Sequence, residues 1–258
     1  MLKPEERYAV FLDIDGTLLS DSFQIPERNL KAIAAAREKG HMVFINTGRS
    51  WGNIPGELHE QFNVDGIISG SGAMITMNGE IVFKACMSQD IIKRVTEYIF
   101  KHREYWALLE GLNDVYAISN DIRERRDYQI PVESPEDYLK ICANDEIQVI
   151  AMGKIVPDDF KELFADELTV FQFDTYADLV VKGLNKAVGI QKVLELTGIR
   201  RENTIAIGDS NNDYDMLSFA GIGVAMANSQ QRILDMADYV TDTNHNCGVA
   251  KAIEKFLL

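Results

Sequence analysis

Apolar positions fall in short runs along the chain, and the spacing within them alternates between two periods. Residues 8–13, YAVFLD, form a compact apolar run closed by an acid, which predicts a buried strand. Residues 26–39 repeat apolar positions at helical spacing, at Leu30, Ile33 and Ala34, and Gly40 closes the segment. MVFIN at 42–46 predicts a second strand, which runs into Thr47-Gly48-Arg49. Strand, helix and strand in this order make a β-α-β unit, and such a connection forces the strands parallel. A third strand is expected at 66–69, followed by a hairpin over 73–83 that turns at Asn78-Gly79. Towards the other end, 186–197 reads as a helix capped by Gly198 and 204–208 as a buried strand. A helix over 213–220 before Gly221 and a strand over 222–226 complete the series. Regular alternation at both ends predicts an α/β fold with a doubly wound parallel, Rossmann-like sheet.

The middle of the chain is patterned differently. Strands are expected at 106–109, 115–119, 147–152, 169–173 and 179–181, with helices at 88–102, 135–143 and 157–164. This texture predicts a separate α+β insert. The stretch between Asp13 and Thr47 has room for one turn, one helix and one strand, so the insert must follow the third strand. The expected division is therefore 1–83 with 183–258 as the core and 84–182 as the inserted domain.

Composition narrows the functional classes. A chain of 258 residues with 46% hydrophobic and 26% charged residues can bury a core of one large or two modest domains. Apolar runs stay far below the roughly twenty residues of a membrane span. The opening MLKPEERYAV lacks the apolar segment of a secretory signal, so a cytoplasmic location is expected. Acidic residues outnumber Lys and Arg by 40 to 26, a formal net charge of −14, which argues against nucleic acid as a partner. Anionic small molecules stay open, because a local cation or metal reverses the sign within one cleft. Cys86, Cys142 and Cys247 follow no CxxC or zinc spacing and are expected to be buried thiols.

Two acidic strings carry the chemistry. Asp13-Ile14-Asp15-Gly16-Thr17 leaves the first strand, where ligands bind in open α/β sheets. Gly208-Asp209-Ser210-Asn211-Asn212-Asp213 leaves a later strand, and a parallel sheet can bring Asp209 beside Asp13 and Asp15. Clustered carboxylates repel one another unless a cation joins them, and an all-oxygen set suits Mg²⁺. Asp213 alone also reads as a charge favoured at a helix start. Thr47-Gly48 offers a hydroxyl and amides to an anion, although Thr-Gly is also an ordinary turn. Lys186, at the start of a helix, reads by default as a surface lysine, although a site with carboxylates, a metal and a phosphate dianion needs a fixed monocation that it could supply.

Together, DIDGT, a strand ending in TGR, and a lysine ahead of GDSNND resemble the haloacid dehalogenase superfamily of phosphatases. GVAMANS at 223–229 and ADYVTDTNHNCGVA at 237–250 look like its Cof-type subfamily. The resemblance implies hydrolysis of small phosphorylated metabolites, such as sugar phosphates, and an α/β cap formed by the insert. It implies that Asp13 is the nucleophile and Asp15 the general acid/base. It further implies that Mg²⁺ is held by the carboxylates of Asp13 and Asp209 and the backbone carbonyl of Asp15. By the same resemblance Thr47, Lys186, Asn212 and the amides of Gly48 and Ile14 contact the phosphoryl oxygens, while Asp213 orients Lys186 or a metal-bound water. The chain departs from the subfamily at Ser71-Gly72-Ala73, where Asn-Gly-Ala is usual, and at Lys186-Ala187, where Lys-Gly is usual.

A phosphomutase of the same superfamily would share every one of these residues. A signalling receiver domain also groups aspartates, a Thr and a Lys, but is about half this length and has no DxDGT. The expected partner is a small phosphorylated substrate, with neither nucleic acid nor membrane, and the expected assembly is a monomer or homodimer. Within the insert, Tyr105 and Trp106 and the cluster Arg123, Arg125 and Arg126 are candidates for substrate contact. Trp106 reads better as core, and the arginines as a solvated loop.

Overall fold

The computed structural model describes residues 6–20, 23–118, 127–142 and 144–258. From the start of the chain come β1 (Ala9–Leu12), α1 (Glu27–Glu38), β2 (Met42–Asn46), α2 (Gly56–Gln61), β3 (Gly66–Ser69), β4 (Met74–Met77) and β5 (Glu80–Lys84). The insert carries α3 (Gln89–Lys101), β6 (Ala107–Glu110), β7 (Val115–Ile118), β8 (Gln129–Pro131), α4 (Pro135–Ile141), β9 (Val149–Gly153), α5 (Asp158–Leu163), β10 (Leu168–Gln172) and β11 (Tyr176–Val181). The chain closes with α6 (Lys186–Thr197), β12 (Thr204–Gly208), α7 (Tyr214–Phe219), β13 (Ile222–Ala225), α8 (Gln231–Met236), β14 (Tyr239–Val240) and α9 (Gly248–Leu257).

Two compact units emerge. Met1–Thr47, Glu60–Phe83 and Asn185–Leu258 form one, and Gly48–His59 with Lys84–Leu184 form the other. The first unit is built on a sheet ordered β14-β13-β12-β1-β2-β3-β4-β5. From β14 to β3 neighbouring strands run parallel, and β4 turns back antiparallel on β3. The chain enters at β1 in mid-sheet and builds outward on both sides, so strand order reverses between β1 and β12. Ligands gather beyond the carboxyl ends of strands at such a reversal. Leu12 pairs with Ile207, so Asp13 and Asp209 leave adjacent strands at the same end. Strands β1, β2 and β12 are buried along their whole length, which accounts for apolar runs without alternation. Phe11 and Phe44 stack across β1 and β2 with ring centroids 5.3 Å apart.

The inserted unit is a sheet ordered β10-β11-β9-β6-β7-β8. Ile92, Val95 and Ile99 on one stripe of α3 pack with Leu109, Ile150, Phe160 and Leu179 in its core. The segment after β2 keeps company with this unit through hydrogen bonds that its backbone N–H groups donate. Ser50 N donates to Glu110 Oε2 at 3.3 Å, Trp51 N to Gln148 Oε1 at 2.7 Å and Gly52 N to the Gly111 carbonyl at 3.1 Å.

Several expectations need correction. Only Cys142 is buried among the cysteines; Cys86 and Cys247 are partly exposed, and Cys247 precedes α9 in a left-handed conformation at φ 56°. Trp106 is half-buried outside the core, its indole lying across Gly153, where any side chain would collide with it. The helix expected over 213–220 begins at Tyr214, after a 3-10 turn over Asn211–Asp213. Helices α2, α8 and α9 and strands β8 and β14 were not expected. The Arg123, Arg125 and Arg126 cluster lies outside the described residues, as do Ser119 and Ala143 at the ends of two expected elements. Among the described residues, no helix is long and apolar enough to cross a membrane.

Candidate active site

Asp13 emerges from β1 with its N–H still bonded to the Ile207 carbonyl at 3.0 Å, which carries strand pairing one residue further. The chain then makes a single wide turn over Ile14–Leu18, closed by Leu19 N donating to the Ile14 carbonyl. Gly16 sits within it at φ 79°, a conformation that glycine adopts at no steric cost. A Cβ there would come within 2.4 Å of Asp209 Oδ2, so glycine also makes room for the neighbouring carboxylate. Thr17 Oγ1 donates to Asp209 Oδ1 at 3.0 Å, tying the first acidic string to the second.

Past β12 the backbone wraps around Asp213. Asp209 N and Ser210 N each donate to Asp213 Oδ2 at 2.9 Å. Gly208 gives way to that carboxylate in turn, since a Cβ would lie 2.6 Å from Asp213 Cγ. Lys186 enters from the first turn of α6, whose N-cap, Asn185, accepts from Val188 N. The Lys186 ammonium is wholly buried, lies 2.5 Å from Asp13 Oδ1 and also donates to Asp213 Oδ1. Asn46 Nδ2 donates to the Lys186 carbonyl at 3.0 Å and anchors this end of the helix on β2.

Burial sets the charge balance. It pushes the Asp13 carboxyl well above its ordinary range; Asp213 adds to the rise, Lys186 opposes it, and Asp209 and Asp15 contribute further. Burial alone would lower the Lys186 pKa, but the Asp13 and Asp213 carboxylates outweigh it and raise the value, so the ammonium stays charged. Asp209 is pushed up to about 7 by burial and then by Asp213, against the Thr17 hydrogen bond and the Lys186 charge.

Oxygens of Asp13, Asp209 and Asp213 lie within 4.8 Å of one another, an arrangement that could hold a metal ion. Both Asp213 oxygens are already engaged, one by Lys186 and one by two backbone amides. Asp13 and Asp209 are thus better placed as ligands, and Asp213 acts as a strut. The Asp15 side chain is exposed and is not one of these three mutually close carboxylates. Ile14 and Thr47 are buried, and Thr47 accepts from Ser71 N through its carbonyl at 3.0 Å. Asn212 is half-buried and accepts from the Ser210 hydroxyl at 2.6 Å. Gly48 opens the segment that belongs to the other compact unit.

Ser71 adopts the left-handed conformation at φ 52° and ψ 41°, where Asn is the more favoured non-glycine residue. Its hydroxyl is buried without a hydrogen-bond partner, so this departure from the subfamily string is a real local difference. Ala187, in the first turn of α6, is not among the positive-φ positions, and replacing glycine there strains nothing. Sequence reasoning missed Thr17, Asn46, Asn228 and Asn244. Thr17 was within the string already singled out, and the last two lie in the subfamily-like strings of the tail.

Residues 10–253 match the family model described as haloacid dehalogenase-like hydrolase. The chain belongs to this family. Its Cof-type character agrees with relatives that span nearly its whole length. It is 32% identical over 255 residues to the 5-amino-6-(5-phospho-D-ribitylamino)uracil phosphatase YcsE of Bacillus subtilis (strain 168), covering 96% of this chain and 95% of that one. A phosphoglycolate phosphatase of Methanothermobacter thermautotrophicus is 29% identical over 252 residues, covering 96% and 98%. Among solved structures, the subclass IIB sugar phosphatase BT4131 superposes with a TM-score of 0.82 at 29% identity, covering 96% and 98%. The chain is thus a hydrolase of this family whose relatives are named phosphatases, and its α/β core with an α+β insert matches the fold of these relatives.

Proposed function

We propose that this hydrolase is a cytoplasmic, Mg²⁺-dependent phosphatase that removes phosphate from small phosphorylated metabolites through an aspartyl-phosphate on Asp13. The observation that carries this reading is a buried ammonium, Lys186, bridging Asp13 and Asp213 beside Asp209 at the strand-order reversal. The donors on offer to a metal are hard oxygens alone, which fits Mg²⁺ held by the Asp13 and Asp209 carboxylates and the Asp15 carbonyl. When bound, the ion supplies positive charge that neutralises the phosphoryl oxygens.

Thr47, the amides of Ile14 and Gly48, Asn212 and the Lys186 ammonium orient the phosphoryl group and lower its charge. An oxygen of Asp13 then attacks phosphorus, the ester P–O bond breaks, and the proton on Asp15 passes to the leaving oxygen. In the second half, Asp15 takes a proton from water, the water oxygen attacks phosphorus, and the bond to Asp13 breaks to release inorganic phosphate. Asp213 keeps Lys186 aimed throughout. The inserted unit serves as the cap that selects the organic part of the substrate.

The test is to incubate the enzyme and Mg²⁺ with hexose 1- and 6-phosphates and other phosphomonoesters, following free phosphate and positional isomers together. Stoichiometric phosphate release with no isomer is the expected outcome. Interconversion outpacing release would assign the chain as a phosphomutase, which must exclude water from the same intermediate.

The carboxylate balance adds a pH prediction. Because burial and Asp213 push the Asp209 carboxyl up to about 7, protons compete with Mg²⁺ towards acid pH. A folded-state carboxyl pKa above the unfolded value costs the metal-free protein stability as pH rises through that window, and a bound cation removes the cost. The rise in melting temperature on adding Mg²⁺ to chelator-treated protein should therefore be larger at pH 8 than at pH 5.5. An equal rise at both values would count against Asp209 as a ligand.

A further inference from the structure

The two subfamily-like strings in the tail have no place in the scheme above, yet both end on the turn that follows Asp13. Asn228, in GVAMANS, donates from Nδ2 to the Gly16 carbonyl at 2.8 Å. Asn244, in the TNHN stretch, donates from its backbone N–H to Asn228 Oδ1 at 3.0 Å and from Nδ2 to the Leu19 carbonyl at 2.9 Å. The network fixes the orientation of the Asn228 amide, because a carbonyl faces one end and an N–H faces the other. Asn228 is exposed, whereas Asn244 is 4% exposed and supplies the rigid end of the chain of bonds.

Asp15 needs such support. Its backbone, at φ −80° and ψ 119°, and that of Gly16, at φ 79°, are non-helical within an otherwise helical turn. Gly16 permits this conformation but, lacking a side chain, does nothing to hold it. On one side the turn is held by Asp209, through the Thr17 hydroxyl and the close approach over Gly16. On the other, the Gly16 and Leu19 carbonyls are held by the two asparagines.

We infer that Asn228 and Asn244 are positioning residues that fix the turn carrying Asp15 and so set how well that carboxyl protonates the leaving group. The inference rests on the proposed role of Asp15 in phosphomonoester hydrolysis. It separates cleanly from general damage to the site. Loss of positioning at the acid matters for a basic leaving group and little for one that departs unassisted, whereas damage to the nucleophile or to phosphate binding slows both alike.

The experiment compares phenyl phosphate with p-nitrophenyl phosphate, which are similar in shape but differ in the basicity of the departing phenolate. The measured quantity is kcat/KM, which reports events up to the first irreversible step. Asn228→Ala is expected to lower kcat/KM for phenyl phosphate about tenfold or more, part of the 10²–10⁴ that a general acid contributes, with p-nitrophenyl phosphate changed less than about threefold. Asn228→Asp, which keeps the acceptor for Asn244 but loses the donor to Gly16, should show the same selectivity. Because Asn228 is exposed, both variants should melt close to the wild type. Equal losses on the two substrates, or no loss on either, would overturn the inference while leaving the phosphatase reading intact. A wild type inert towards both esters would overturn the phosphatase reading, and the inference with it.

Discussion

Asp13→Asn should cut turnover by about a thousandfold or more while the protein stays folded, because loss of a group that acts as part of a catalytic unit removes nearly all of that unit's contribution. The amide has almost the same volume but cannot attack phosphorus and binds a cation weakly. Stability should hold or improve. The Asp13 carboxyl is pushed up by burial and by Asp213, Asp209 and Asp15, so neutralising it relieves repulsion, and Lys186 keeps its partner in Asp213. Steady-state assays and thermal melts on one preparation check both halves. Retained turnover would remove Asp13 as the nucleophile; a collapsed melt would show that its charge supports the fold.

Lys186→Ala should fail in the opposite manner, losing stability as well as activity. The ammonium is fully buried between Asp13 and Asp213, and removing it leaves two buried carboxylates facing each other with Asp209 close by. Breaking a buried ion pair from one side costs about 3–5 kcal/mol, because an uncompensated charge remains. The carboxyls escape by taking up protons, so the loss should be greatest above neutral pH and shrink in acid. Lys186→Met keeps most of the side-chain volume and separates the charge effect from the cavity left by Ala. Urea unfolding at pH 5 and pH 8, in chelator, reads the difference. A loss of stability independent of pH would mean that the packing of the stem, rather than the charge, is what matters.

These two variants also mark how much of the site could be read from the chain alone. Asp13 and Asp15 are legible because a compact apolar run ends on them, and a run of that kind in an alternating α/β chain is a buried strand with its carboxyl end at the ligand side. GDSNND is legible for the same reason. A change of pattern between Lys84 and Lys182 marks the insert in the chain, whereas nothing local marks Gly48–His59, which the sequence reading places in the core and which groups with the second unit. Helix α9 left a readable trace, with Val249, Ala252, Ile253 and Leu257 on one stripe, whereas α2 and β14 are too short for periodicity to declare them.

The order of elements and the residue types at strand ends follow from local spacing along the chain. Which of those residues meet was decided by the tertiary structure. That Lys186 lies fully buried against Asp13, 173 residues away, depends on α6 packing against α7 and the Gly70–Gly72 turn, with Asn46 of β2 holding the Lys186 carbonyl. That Asp213 is a strut depends on a 3-10 turn returning its carboxylate to the amides of Asp209 and Ser210. The bond from Asn228 to Gly16 spans 212 residues, and no local pattern records it, because an asparagine in a loop looks the same whether it faces water or the turn that follows Asp13. Local physics writes periodicity and turns into the sequence, whereas contacts between distant loops exist only after the sheet has set its strand order.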